Sequence, residues 1–261
     1  MTRRVAVGLE YDGRAFAGWQ SQPPPLRSVQ SLTEAALAQV ADHAIELVAA
    51  GRTDAGVHAL AQVAHFDTPS RRSARAWMLG ANSHLPADVS ITWAREVPPH
   101  FHARYSVEAR TYRYVICNRS ARSALTAGRA TLVHAPLDVE RMRAAAVALL
   151  GEHDFSALRA AECQARSPVR RLTELGVERR GEWVLISATA NAFLHHMVRN
   201  IAGLLIVIGQ GKAPPAFAAE VLASRNRQLA PPTAPADGLY LWRVRYPAAF
   251  CLPEAEPPDG L

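Results

Sequence analysis

The run Ala50-Gly51-Arg52-Thr53-Asp54-Ala55-Gly56-Val57-His58-Ala59 sets an arginine, a carboxylate and a histidine around two glycines, between two apolar segments. Glycine permits positive φ and close backbone approach, so a short rigid loop here can present Asp54 to a cleft with Arg52 beside it. A neighbouring guanidinium would lower the carboxyl pKa and keep Asp54 ionised, as a nucleophile or base requires. The same spacing also suits an ordinary β-turn carrying a surface ion pair worth less than about 1 kcal/mol. Residue types alone leave both readings open.

Such a loop needs strands on either side. Period-two alternation predicts a strand over residues 4–10, and further strands over 44–49 and 60–66 flank the loop. Ser28 caps a predicted helix over 29–40, and 73–81 reads as a short helix before a strand at 89–97. The strand at 107–117 puts Tyr112, Tyr114 and Ile116 on one face. After an irregular stretch at 118–132, Asp138 caps a helix running to about 150. Strands follow at 170–178 and 183–190, a long helix at 192–210, a helix start at Pro214-Pro215 and a last strand at 239–246. The succession predicts an α+β chain in two halves: 1–105 carrying the loop, 106–247, and a mobile tail over 248–261.

Composition narrows the classes. The 261 residues are 49% hydrophobic and 20% charged, which excludes wholesale disorder. No apolar run approaches the ~18 residues of a membrane span. The start runs from Arg3-Arg4 into Glu10 and Asp12 and does not read as a signal peptide. The cysteines, Cys117, Cys163 and Cys251, form no CxxC pair, so neither a disulfide framework nor a cysteine zinc site fits, and a reducing cytoplasm is expected. His195 and His196 suggest a metal only superficially, since helical neighbours point about 100° apart.

The charge is concentrated. Net charge is +6, and Lys212 alone among the 29 basic residues is lysine. Arginines 104, 110, 113, 119, 122 and 129 stand against Glu108, and arginines 159, 166, 170 and 171 against Glu162. Clustered guanidinium groups grip phosphates, and Phe101, His102 and Tyr105 add stacking surfaces.

Beyond the loop, the distinctive blocks are Tyr11-Asp12-Gly13, Phe16, Gly18-Trp19-Gln20, Phe101-His102-Ala103-Arg104-Tyr105-Ser106 and Arg110-Thr111-Tyr112-Arg113-Tyr114. His153-Asp154-Phe155, Asn191 through Gly203 with Met197-Val198-Arg199, Ala234-Pro235 and Gly238-Leu239 complete them. In this order, over nearly the whole chain, they resemble the tRNA pseudouridine synthase A family. The resemblance implies two RRM-like, ferredoxin-like α+β halves forming a continuous, mainly antiparallel sheet flanked by helices, with the catalytic cleft between them.

It also implies a cytoplasmic homodimer that isomerises uridine to pseudouridine at positions 38, 39 and 40 of the tRNA anticodon arm, without a metal or other cofactor. By the same resemblance, Asp54 is the catalyst and Arg52 pairs with it and fills the space left by a flipped base. Tyr112 packs against the uracil, Leu239 adds an apolar contact, and Arg199 completes an ion network. Phe101, His102, Ala103, Arg104 and Tyr105, with Glu162, Cys163, Gln164, Ala165 and Arg166, would touch tRNA, Arg104 assisting base flipping. A non-catalytic RNA clamp with the same fold would not need Arg52, Asp54 and Tyr112 together. The full set of blocks argues less strongly against a related synthase acting on other RNA sites, because site choice rests on surface shape.

Overall fold

The computed structural model describes residues 2–253. They fall into two units, residues 2–108 with 240–253, and residues 109–239.

In the first unit, the alternation at the start of the chain forms β1 (Arg3–Tyr11), whose Val5, Val7 and Leu9 are buried. Ser28 caps α1 (Val29–Ala41) by accepting the Ser31 N–H, which satisfies one of the donors a helix start leaves open. β2 (Val48–Ala49) is only two residues long where a six-residue strand is expected, and β3 (His58–Thr68) is longer than expected. Ser73 caps α2 (Ala74–Asn82), and β4 (Val89–Val97) has the predicted bounds. β1 pairs antiparallel with β3 and β4, and β2 with β3. The resulting order β4-β1-β3-β2 is that of a split βαβ, ferredoxin-like unit.

The final strand of the chain (Leu239–Arg245) reads with the second half, yet its Tyr240 and Leu241 pair parallel with His58 and Ala59 of β3. The segment beyond it packs on the first unit as well. Ala6, Val63, Val97 and Phe101 form a small core, against which Val244, Tyr246, Phe250 and Leu252 lie. The tail expected to be mobile therefore begins with packed residues. Its remainder, 254–261, lies outside the described residues.

The second unit repeats the pattern. β5 (Ala109–Asn118) is followed by β6 (Thr131–Val133), which pairs parallel with it inside the stretch read as irregular. Asp138 accepts the N–H groups of Glu140 and Arg141 to cap α3 (Val139–Val147). A four-residue strand not anticipated from sequence, β7 (Gly151–Asp154), forms the edge of an antiparallel β5-β9-β8-β7 order with β8 (Val169–Arg180) and β9 (Trp183–Ala190).

α4 (Met197–Gly209) starts five residues later than predicted, because His196 takes φ 62° and ends the preceding loop. The Asn191 side chain accepts the N–H groups of Arg171 and Ala192, which holds that loop away from a helical turn. α5 (Phe217–Ser224) begins just after the two prolines, and the final strand completes the chain as β10 (Leu239–Arg245).

Buried Asn200 on α4 ties these pieces together. Its amide donates to the Leu158 carbonyl at 2.9 Å, and its oxygen accepts from Thr233 Oγ1 at 2.7 Å and from Arg227 at 3.1 Å. Asn200→Ala leaves these buried groups unsatisfied and is expected to destabilise by about 2–3 kcal/mol in urea unfolding. A loss below about 0.5 kcal/mol, the range of a neutral surface change, would mean that the network is dispensable.

Candidate active site

The Asp54 loop is short because both of its ends are tied down. Asp54 opens a β-turn closed by the Val57 N–H donating to the Asp54 carbonyl at 3.2 Å, with Gly56 at φ 78° in the position that requires it. Thr53 and Val57 on either side are buried. Thr53 Oγ1 lies 2.8 Å from the Tyr11 hydroxyl, and the Thr53 carbonyl accepts the Trp19 N–H at 2.9 Å. Gln62 reaches from β3 to the Gly51 carbonyl at 2.6 Å. The Gly56 N–H donates to the Phe16 carbonyl, and the Gly13 N–H to His58 Nδ1 at 3.1 Å. His58 itself is buried and stacks on Tyr240 with centroids 4.6 Å apart. The blocks Tyr11-Asp12-Gly13 and Phe16 to Trp19 are thus the frame of the loop, and Asp54 is the half-buried residue at its turn.

Arg52 is placed differently from the expectation. It is exposed, and among the described residues it makes no hydrogen bond or ion pair, so the anticipated pairing with Asp54 is not formed. An exposed pair would gain little against the entropy of holding a long side chain still.

The second unit holds Tyr112, Leu239 and Arg199. Tyr112 on β5 is buried and meets Phe193 edge-on at 5.1 Å. Leu239 is buried at the start of β10, where its N–H donates to the Ala236 carbonyl. Arg199 Nε donates to the Ala234 carbonyl at 2.8 Å and its own carbonyl accepts the Ala234 N–H, which fastens α4 to the 232–238 segment. Tyr114 adds its hydroxyl to the Pro235 carbonyl and to Thr131, and burial pushes its phenol pKa up. His195 and His196 precede α4 instead of lying on it, with rings 4.0 Å apart in a tilted stack. The helical-spacing argument against a metal therefore does not apply to them.

The expected tRNA-contacting residues divide by burial. Phe101 and Ala103 are fully buried, Phe101 packing against Tyr246, Phe250 and His65, so the Phe101 ring is a core group and offers no stacking surface. A period-free stretch gives no sequence signal for that inward turn. Tyr105 is 76% exposed and Arg104 is exposed, with its guanidinium 5.7 Å from the Tyr105 ring centre. His102 is half-buried between Tyr105 and His65.

Glu162, Gln164 and Arg166 are exposed on a loop whose Cys163 and Ala165 are half-buried; Ala160 anchors it through its N–H to the His195 carbonyl. Arg110, Arg119 and Arg170 donate to the protein's own carbonyls. Arg122, Arg166 and Arg171 are exposed and donate through their side chains to no acceptor among the described residues. The basic surface is narrower than the arginine count suggests.

Sequence reading missed Gln62 and His65. Both are buried polar residues of β3, and a polar side chain buried in a strand marks one with internal partners. No helix among the described residues is long and apolar enough to cross a membrane.

The family model described as tRNA pseudouridine synthase matches residues 9–106 and 145–247. The tRNA pseudouridine synthase A of Methylococcus capsulatus is 59% identical over 249 residues, covering 95% of this chain and 92% of the relative. That of Thiobacillus denitrificans is 55% identical over 252 residues, covering 97% and 96%. The protein of the same name from Nitrosococcus oceani is 53% identical over 255 residues, covering 98% of each.

Proposed function

The chain belongs to the tRNA pseudouridine synthase A family, and we propose that, within that family's isomerisation of tRNA uridine, its sites are positions 38, 39 and 40 of the anticodon stem-loop. The reaction breaks the N1–C1′ bond, turns the uracil and joins C5 to C1′; the proton lost from C5 is balanced by one gained at N1. Asp54 is the carboxylate that carries this exchange. The observation that supports the reading is the frame: Asp54 sits on a turn whose neighbours Thr53 and Val57 are buried and bonded, so the backbone that presents its carboxylate is fixed before the substrate arrives.

A uridine inside a stem must leave its stack, at a cost of a few kcal/mol. Arg52, exposed and without a partner among the described residues, is suited to fill the space that it vacates. Tyr112 and Leu239 would pack on the flipped uracil, and Arg199 would complete the ion network. Arg104, with the 162–166 loop, would hold the anticodon arm. In this reading the enzyme works in the cytoplasm as a homodimer.

Mapping pseudouridine in total tRNA from a strain lacking this gene tests the site choice. Loss confined to positions 38–40 is expected, and unchanged modification there would overturn it. Arg104→Ala and Arg166→Ala are each expected to weaken tRNA binding and to flatten its salt dependence, by about one unit in the slope of log affinity against log salt. A wild-type slope would move the footprint elsewhere.

A further inference from the structure

Three consecutive backbone N–H groups in the 101–106 loop donate to imidazole nitrogens. The Ala103 N–H donates to His65 Nδ1 at 3.1 Å, and the N–H groups of Arg104 and Tyr105 donate to His102 Nδ1 at 3.1 and 3.2 Å. Only an unprotonated nitrogen can accept, so both rings must be neutral. His65 is buried on β3, where the Val48 backbone accepts from its other edge. The groups facing it are Arg4, Asp67 and His102, and burial, followed by the Arg4 charge, holds its pKa down to about 4. His102 is likewise lowered, by burial first and then by Arg4 and Arg104.

The rest of the loop is pinned from the same side. Arg4 donates to the Pro99 and Phe101 carbonyls while paired with Asp67, and Tyr246 donates its hydroxyl to the Ala103 carbonyl at 2.6 Å. His102 closes the turn through its N–H to Ser106 Oγ and its carbonyl to the Ser106 N–H.

We propose that His65 and His102 are positioning residues: as neutral acceptors they shape the backbone that points Arg104 and Tyr105 outward for tRNA. This rests on the tRNA-synthase reading above and assigns His102 a role other than stacking on RNA. A loop left without these acceptors samples other shapes, and apparent affinity falls with the fraction that remains competent.

The test exploits two substitutions of opposite chemistry at His102. Asparagine places a non-titrating oxygen where Nδ1 sits but removes the ring; phenylalanine keeps a ring and removes the acceptor. With an unmodified transcript of a tRNA carrying anticodon-arm uridines, His102→Phe is expected to raise KM about fivefold or more with kcat within about twofold, and His102→Asn to restore most of the loss. The reverse ranking would make His102 a stacking residue and overturn the proposal, as would two variants equal to each other or to wild type.

His65→Asn against His65→Phe extends the test to the buried ring. Because His102 is only half-buried, its variants keep the test decisive even if those at His65 do not fold. Should the wild-type enzyme modify uridines outside positions 38–40, the site-choice reading fails, while the ranking at His102 still decides this one.

Discussion

Asp54→Asn is expected to lower pseudouridine formation at least about 10³-fold while tRNA affinity stays within about twofold of wild type. The substitution keeps the size of the side chain and removes its ionised oxygen. It leaves the frame intact, because the turn is closed by the Asp54 carbonyl and held by Thr53, Val57 and Gly56, none of which uses the Asp54 carboxylate. Single-turnover conversion of tRNA by the purified variant, with binding followed in parallel, separates the two quantities. Turnover above the trace that deamidation would produce removes Asp54 from the central role; lost binding would mean instead that the carboxylate shapes the surface.

Gly13→Ala is the second large effect. Gly13 lies in the 3-10 turn after β1, where a methyl group would overlap the backbone carbonyl of Val57 at the end of the catalytic loop. Neither side can yield cheaply. The Gly13 N–H is bound to His58, its carbonyl accepts from Phe16, and Val57 is buried and closes the Asp54 turn.

Relief must therefore displace the loop, at a stability cost of roughly 2–4 kcal/mol by analogy with overpacked cores. A displacement near 1 Å at a reacting group costs about 10² in rate. Urea unfolding and kcat at saturating tRNA, measured where the variant is folded, are both expected to fall. A folded variant with kcat within about threefold of wild type would show that the frame tolerates movement at this point.

The local chemistry of the chain was legible because its signals act over a few residues. Ser28 and Asp138 cap the helices expected of them, alternation locates β1, and the strands expected at 89–97 and 183–190 form as β4 and β9. The 192–196 stretch reads as helix, but the Asn191 side chain takes the Ala192 N–H and His196 at φ 62° breaks the helical backbone just before α4. β7 is four residues long with two of them exposed, too short to show a period.

By itself the sequence determined the α+β class, the family and the loop that carries Asp54, because these rest on residue identity and on contacts within a few positions. Which way the residues of the 101–106 loop face was decided only in the tertiary structure. Phe101 lies inward because β1, β3 and the returning segment after β10 build an apolar surface for it, from residues more than a hundred positions apart. The same long-range pairing brings His65 beneath Ala103 and turns two polar residues into backbone acceptors. Arg52 is exposed and, among the described residues, does not form the pair with Asp54 that the resemblance implied. Burial is the physical reason: a side chain is driven inward by the surface available to it, and distant strands supply that surface.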